Sequence, residues 1–238
     1  MEPRPVYNRV EVQGKVVGIG KDHMGHDTIT ILVVRPKGRP SQRTAIAPTG
    51  DKEKSFVRFA LKDPLEFEVR HNDHVRAEGF TNAYSYRDDS GDKWTYVQYF
   101  VADKFERQKT KLMDAFGVEG KFYDASYFKG FYRGEVMSVI RTKNSPFARL
   151  VVRTPETGQQ RSSTLRFTYL TTGRLPDIKK FEKGDEVCVA AGINTPQREV
   201  DGKLRSMENL FVEDIAIIKK HEPQEEAAVI TDDPALAD

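Results

Sequence analysis

Cys188 is the sequence's single cysteine, so no intrachain disulfide braces the fold. A reducing, cytoplasmic setting is the expectation, the host cytoplasm for a viral chain. Flanked by Val187 and Val189, that thiol reads as a small buried hydrophobe. No apolar run approaches the roughly 18 residues a membrane helix needs, and Met1-Glu2-Pro3-Arg4-Pro5 is not a basic-then-apolar leader. No membrane association is expected. Histidines number five, with ligand-like spacing at His23/His26 and His71/His74, but no cysteine accompanies either pair. Zinc needs three or four converging ligands, so solvated loop histidines are the expectation, with no metal and no cofactor. The nucleophile-elbow, Walker and dinucleotide glycine patterns are missing from their proper settings, and carboxylates are dispersed or in turns. The expectation is a protein that is not an enzyme.

Charge is abundant but unevenly placed. The formal net charge is +2, yet the last 17 residues, Glu222 to Asp238, hold six carboxylates and no Lys or Arg. The rest of the chain therefore carries +8. A basic body with an acidic end suits a polyanionic ligand, and residues 221–238 are expected to be a disordered tail that recruits a partner or competes for the basic body.

The chain also says one thing twice. Asn8 to Ile19 and Lys129 to Ile140 share a strand-with-central-glycine shape. Each is followed by Leu-Val-Val-Arg (Leu32–Arg35, Leu150–Arg153), then by an Arg-Phe strand (Arg58-Phe59, Arg166-Phe167). Each copy closes on an apolar strand, Tyr99–Asp103 and Leu210–Asp214. Strands are expected near 8–19, 28–35, 55–61, 73–86 and 93–103, and again near 129–141, 147–154, 163–170, 185–193 and 204–218. Asp88–Asp92 and Asp201-Gly202 read as hairpin tips. Five strands with a glycine to bend the long first one (Gly14, Gly134) point to an all-β chain of two tandem OB-fold five-stranded barrels; a β-sandwich of the same strands is the rival. The domains are 6–104 and 128–220, joined by a linker at 105–127 with a short helix over Phe105–Phe116.

Period-2 alternation sorts the faces. Val57, Phe59 and Leu61 turn inward, leaving Phe56 and Arg58 outside; Leu165, Phe167 and Tyr169 do the same and expose Arg166. On the second strand, Leu32 and Val34 are expected inside and Arg35 outside, and Arg149 and Arg153 flank Leu150 and Val152 likewise. On the hairpin, Tyr84 and Tyr86 share a face, as do Trp94 and Tyr96. A single-stranded polyanion asks for cations along a groove and flat rings for its bases. Lys15, Arg35, Lys37, Arg39, Arg43, Arg58 and Arg76 are the candidate cations of the first copy. Phe56, Tyr84, Tyr86, Trp94 and Tyr96 are its candidate stacking rings, although Trp94 and Tyr96 packed across the hairpin would merely stiffen it. In the second copy Phe147, Arg149, Arg153, Arg166, Lys203 and Arg205 correspond, with less aromatic help, so the first barrel is expected to bind more tightly.

Asn8, Val10 and Gly14, then Glu78-Gly79, Tyr86 and Asp88-Asp89-Ser90-Gly91, resemble the pattern of bacterial-type single-stranded DNA-binding proteins. The resemblance covers about 100 residues and implies base stacking by Tyr86, coating of single-stranded DNA with little sequence preference in replication, repair or recombination, and pairing of two chains as a homodimer. The second copy departs from the pattern, with Arg198 and Val200 where an aromatic is expected, and the loop at 36–54 is longer. The tail matches in charge but ends in Leu236-Ala237-Asp238 without the family's terminal aromatic, which bears on recruitment of replication or repair proteins. An RNA-binding OB protein and a protein-interaction scaffold remain the alternatives.

Overall fold

Val10-Glu11-Val12-Gln13 alternates apolar with polar, and the first strand, β1 (Asn8–Lys21), buries the apolar set completely. The computed structural model describes residues 7–22, 25–36, 52–87, 94–108, 126–141, 145–157, 160–200, 203–206 and 208–222, with backbone alone for 35–36, 52–53, 94, 197–200 and 203–206. After β1 come β2 (Asp27–Pro36), β3 (Lys52–Leu61), β4 (His74–Arg87) and β5 (Trp94–Arg107). β1 pairs with β2 and β4, β2 with β3, β4 with β5, and a short parallel ladder from Phe59/Phe100 to Leu61/Ala102 joins β3 to β5. The circuit closes: this is a five-stranded barrel of OB type.

The later strands are β6 (Tyr127–Arg141), β7 (Phe147–Thr154), β8 (Ser163–Leu170), β9 (Glu186–Asn194), β10 (Gln197–Val200), β11 (Lys203–Ser206) and β12 (Asn209–Lys219). Their ladders run in the same order: β6 with β7 and β9, β7 with β8, β9 with β12, and a parallel pair from Phe167/Leu210 joining β8 to β12. β10 and β11 form a separate two-stranded ribbon, where a single long strand at 204–218 was expected. The described residues hold one turn of 3-10 helix, Ile178–Lys180, capped by the Asp177 carboxylate.

β1 also pairs antiparallel with β6, from Asn8/Tyr132 to Gln13/Tyr127. Gly14 and Gly134 sit at equivalent points, and under that equivalence the ladder maps onto itself about the Val10/Gly130 pair. The strands are therefore related by a local pseudo-twofold axis. Phe59–Phe100–Phe128, at 5.7 Å centroid spacings, continue the packing across it, and Tyr132 packs within the second half against Phe167 at 5.0 Å. The Tyr132 hydroxyl lies 2.8 Å from that of Thr81 on β4. Asn8 sits beside this contact, donating to Thr81 O at 2.6 Å and accepting the Thr81 N–H at 3.0 Å, and so acts as a buried strand mimic.

Gly14 works as expected. β1 passes there from β4 to β2, and a Cβ would stand 2.3 Å from Leu32 O; at Gly134 it would stand 2.2 Å from Arg153 O. The register shift that bends the strand falls two to four residues later, between Val16 and Gly18 and between Val136 and Ser138.

Three expectations are corrected. On β2 the buried apolar residues are Ile29, Ile31 and Val33, while Leu32 and Val34 are half-buried on the outer face. Barrel register explains the inversion: Ile31 pairs with Val57 as Val152 pairs with Leu165, so Leu32 corresponds to Arg153 and the shared Leu-Val-Val-Arg string is not a structural equivalence. The closing strands align Phe100 with Leu210, one residue away from the match on Tyr99, because Phe100 and Leu210 are the two that enter the core. The expected helix over Phe105–Phe116 begins as strand, since Phe105, Glu106 and Arg107 continue the β4–β5 ladder opposite Ala77, Arg76 and Val75; its remainder from 109 lies outside the described residues.

Candidate nucleic-acid interface

Barrels of this type offer ligands the outer face of strands 2 and 3, flanked by the 1–2 and 4–5 loops. A cavity of about 410 Å³ lies there, floored by Thr28, Arg58 and Ala60 from β2 and β3. Asp22 and His26 from the β1–β2 turn stand at one side, Tyr84, Val97 and Tyr99 from the β4–β5 hairpin at the other, and Glu208 closes it. His26 Nδ1 meets Asp22 Oδ2 at 3.0 Å, which fixes the turn.

Hairpin register puts three tyrosines on one face. Tyr84 and Tyr86 are 6.0 Å apart between ring centroids, and Tyr99 meets Tyr84 edge-on at 5.8 Å. Asn82 donates to the Tyr99 hydroxyl at 2.8 Å and holds that ring. Tyr86 remains 46% exposed. Burial raises the Tyr84 hydroxyl above the usual phenol range, with Tyr86, Tyr99 and Asp22 adding to it, so it stays neutral. Arg58 extends beside this cluster with its side chain exposed. A cation, exposed and half-buried rings and an open trough are the components that hold unpaired nucleotides.

No protein-family model matches the sequence, and no curated protein matches it. Among solved structures, a deletion variant of the single-stranded DNA binding protein from Thermus aquaticus superposes with a TM-score of 0.53 at 13% identity, covering 92% of this chain and 98% of that one. The wild-type form gives 0.51 at 12% identity, over 91% and 95%. The two proteins share a fold. The shared fold extends along both halves of this chain, since nearly all of it is covered.

Against that fold the candidate residues fall into groups. Arg58 and Tyr84 line the trough, and Tyr86 stands against Tyr84 just beyond the lining. Phe56, half-buried on β3, donates its N–H to Thr195 Oγ1 at 3.0 Å and lies outside the cavity, as does Lys15. Arg76 lies on the outer face of β4, where it pairs with Glu11 at 3.1 Å and Glu78 at 2.8 Å, so its charge is already matched. Tyr96 does not stack freely: its ring crosses to β8 under the Arg166 guanidinium at 3.9 Å, and its hydroxyl lies between Gln98 Oε1 at 2.7 Å on its own strand and Thr164 O at 2.9 Å on β8. That contact occupies Arg166 as well. Burial holds the Tyr96 hydroxyl far above the usual phenol range.

In the second half Arg153 pairs with Glu135 at 2.7 Å, while Arg149 and Phe147 are exposed. Arg35, Trp94, Lys203 and Arg205 are described in backbone alone, and Lys37, Arg39 and Arg43 lie outside the described residues, as do both hairpin tips and the tail from 223. Three or more His, Cys, Asp or Glu side chains placed to hold a metal do not occur among the described residues.

Sequence reasoning missed Tyr99, Asp22 and the pair Gln98/Glu208. Gln98 Oε1 accepts the Arg166 N–H at 3.1 Å, and Glu208 Oε1 accepts the Arg58 N–H at 2.8 Å. Each caps the free edge of the other half's third strand. They are repeat-related, lying two residues before Phe100 and Leu210, and an alignment anchored on those core residues would have paired them.

Proposed function

We propose that the chain is a tandem OB-barrel protein of the single-stranded DNA-binding family, with domains at 6–104 and 128–220 and a linker between them. It coats single-stranded DNA with little sequence preference in replication, repair or recombination. The observation that carries this reading is the tyrosine trio of the first barrel, with Tyr84 and Tyr99 lining the trough beside Arg58 and Tyr86 exposed against Tyr84. The repeated ladder order and the span of the Thermus aquaticus match support the two-barrel organisation. Stacking rings tolerate every base, and phosphate contacts carry no sequence information, which supports weak base preference. The first barrel binds more tightly, since Arg166 and Arg153 of the second are taken up by Tyr96 and Glu135. The acidic tail recruits replication or repair proteins, and two chains pair as a homodimer; light scattering tests the latter.

The deciding experiment titrates labelled dT oligomer, an RNA of equal length and duplex DNA at two salt concentrations. Tight, salt-dependent binding of the DNA single strand, well ahead of duplex, is expected. Equal or tighter RNA binding would transfer the assignment to RNA, and salt-insensitive absence of binding to a protein scaffold.

A further inference from the structure

The trough of the first half contains a carboxyl that the other half supplies. Glu208, immediately ahead of β12, reaches the Arg58 N–H 150 residues away and lines the same cavity as Tyr84 and Tyr99. Capping that strand edge needs no charge, because Gln98 does it for Arg166 at the repeat-related position with a neutral amide oxygen. A carboxyl at 208 thus adds something the packing does not require, a titratable proton inside a groove fit for a polyanion. Asp22 lines the same space, so an ionised Glu208 sets two carboxylates where phosphates must pass.

From this geometry the structure assigns to Glu208 control over nucleic-acid affinity: the single strand enters the trough with Glu208 neutral, and binding takes up one proton from solvent. The assignment rests on the single-strand-binding reading above. The charged and titratable groups facing Glu208 are Arg58 from β3, Lys62 just beyond it, Asp22 and His26 from the β1–β2 turn, and Tyr84 and Tyr99 from the hairpin. Burial pushes the Glu208 carboxyl up to about 7, against the opposing pull of the Arg58 N–H and guanidinium, so the proton is exchangeable near neutrality. Nothing else is transferred; a carboxylate and a solvent proton become a carboxylic acid in the complex.

The test measures fluorescence anisotropy of a labelled dT oligomer with the full chain at constant salt, at about pH 6 and about pH 8.5. Calorimetry in two buffers of different ionisation enthalpy counts the protons. Binding by the neutral form alone gives a loss of about 30-fold over that interval. Glu208→Gln, which keeps the acceptor as Gln98 does, is expected to bind at both values as the native chain does at the lower one, with no proton uptake. His26→Gln is expected to keep the native slope. A slope that survives in Glu208→Gln, or vanishes in His26→Gln alone, overturns the assignment. No binding by the native chain at either pH overturns the single-strand reading itself and this assignment with it.

Discussion

Tyr86 combines two properties, a ring held in place by a neighbour and nearly half its surface open. Tyr84 supports it from one side, so a base stacking on Tyr86 meets a preordered surface. Tyr86→Ala is expected to weaken dT-oligomer binding by about 1–3 kcal/mol with an unchanged melting temperature; anisotropy titration and thermal scans check both. Arg58 offers charge where Tyr86 offers a ring. Its backbone is pinned by Glu208 and its side chain is exposed, so Arg58→Ala should weaken binding to all base sequences alike and reduce the salt slope by about one. Affinities for dT, dC and dA oligomers across a salt series measure this. Base-selective loss would show an edge contact in place of a phosphate contact.

Strand ends and turns decide how firmly each element is fixed. The turn before β9 is anchored by Asp185, whose side chain is fully buried. Burial alone would raise its pKa, but the Glu182 and His221 N–H groups and the Lys220 ammonium, at 2.9–3.0 Å, outweigh it and hold the carboxyl below the usual range. A depressed folded pKa contributes stability that is present above the ordinary carboxylate range and lost as pH falls through the lowered value. Asp185→Asn should therefore cost about 1.5–3 kcal/mol at neutral pH and flatten the acid limb of the melting curve. Urea unfolding across an acidic pH series reads both. The β4–β5 hairpin is fixed on one side only, since Tyr96 docks on β8 while Tyr86 on the other face stays exposed.

At the scale of the molecule, the halves share a ladder, a continuous core and reciprocal edge caps. Phe128 of β6 packs on Phe100 of β5, Ser55 donates to Ile193 O at 3.2 Å, and Ser163 donates to Asn82 Oδ1 at 2.9 Å. Neither half can unfold without stripping buried surface from the other. A single calorimetric transition is expected, with matching van't Hoff and calorimetric enthalpies. Two resolved transitions would show that the β1–β6 ladder contributes little. The same arrangement closes the trough of the first half with a residue of the second, Glu208.

Much of the chain was legible from its residues. Period-2 alternation placed Val57, Phe59, Leu165 and Phe167 inside and Arg58 outside, and the strand glycines marked where β1 and β6 change partners, because both signals are local. The repeat was also visible, but its register was not. Leu32–Arg35 and Leu150–Arg153 match as letters, and the ladders set them three residues apart. What tertiary structure alone decided are the contacts between residues far apart in sequence. It placed Arg76 among Glu11 and Glu78, gave Tyr96 and Arg166 to each other, and brought Glu208 to Arg58. The physical reason is that alternation fixes which side of a strand a residue occupies, whereas barrel closure and the docking of one half on the other fix what stands opposite it.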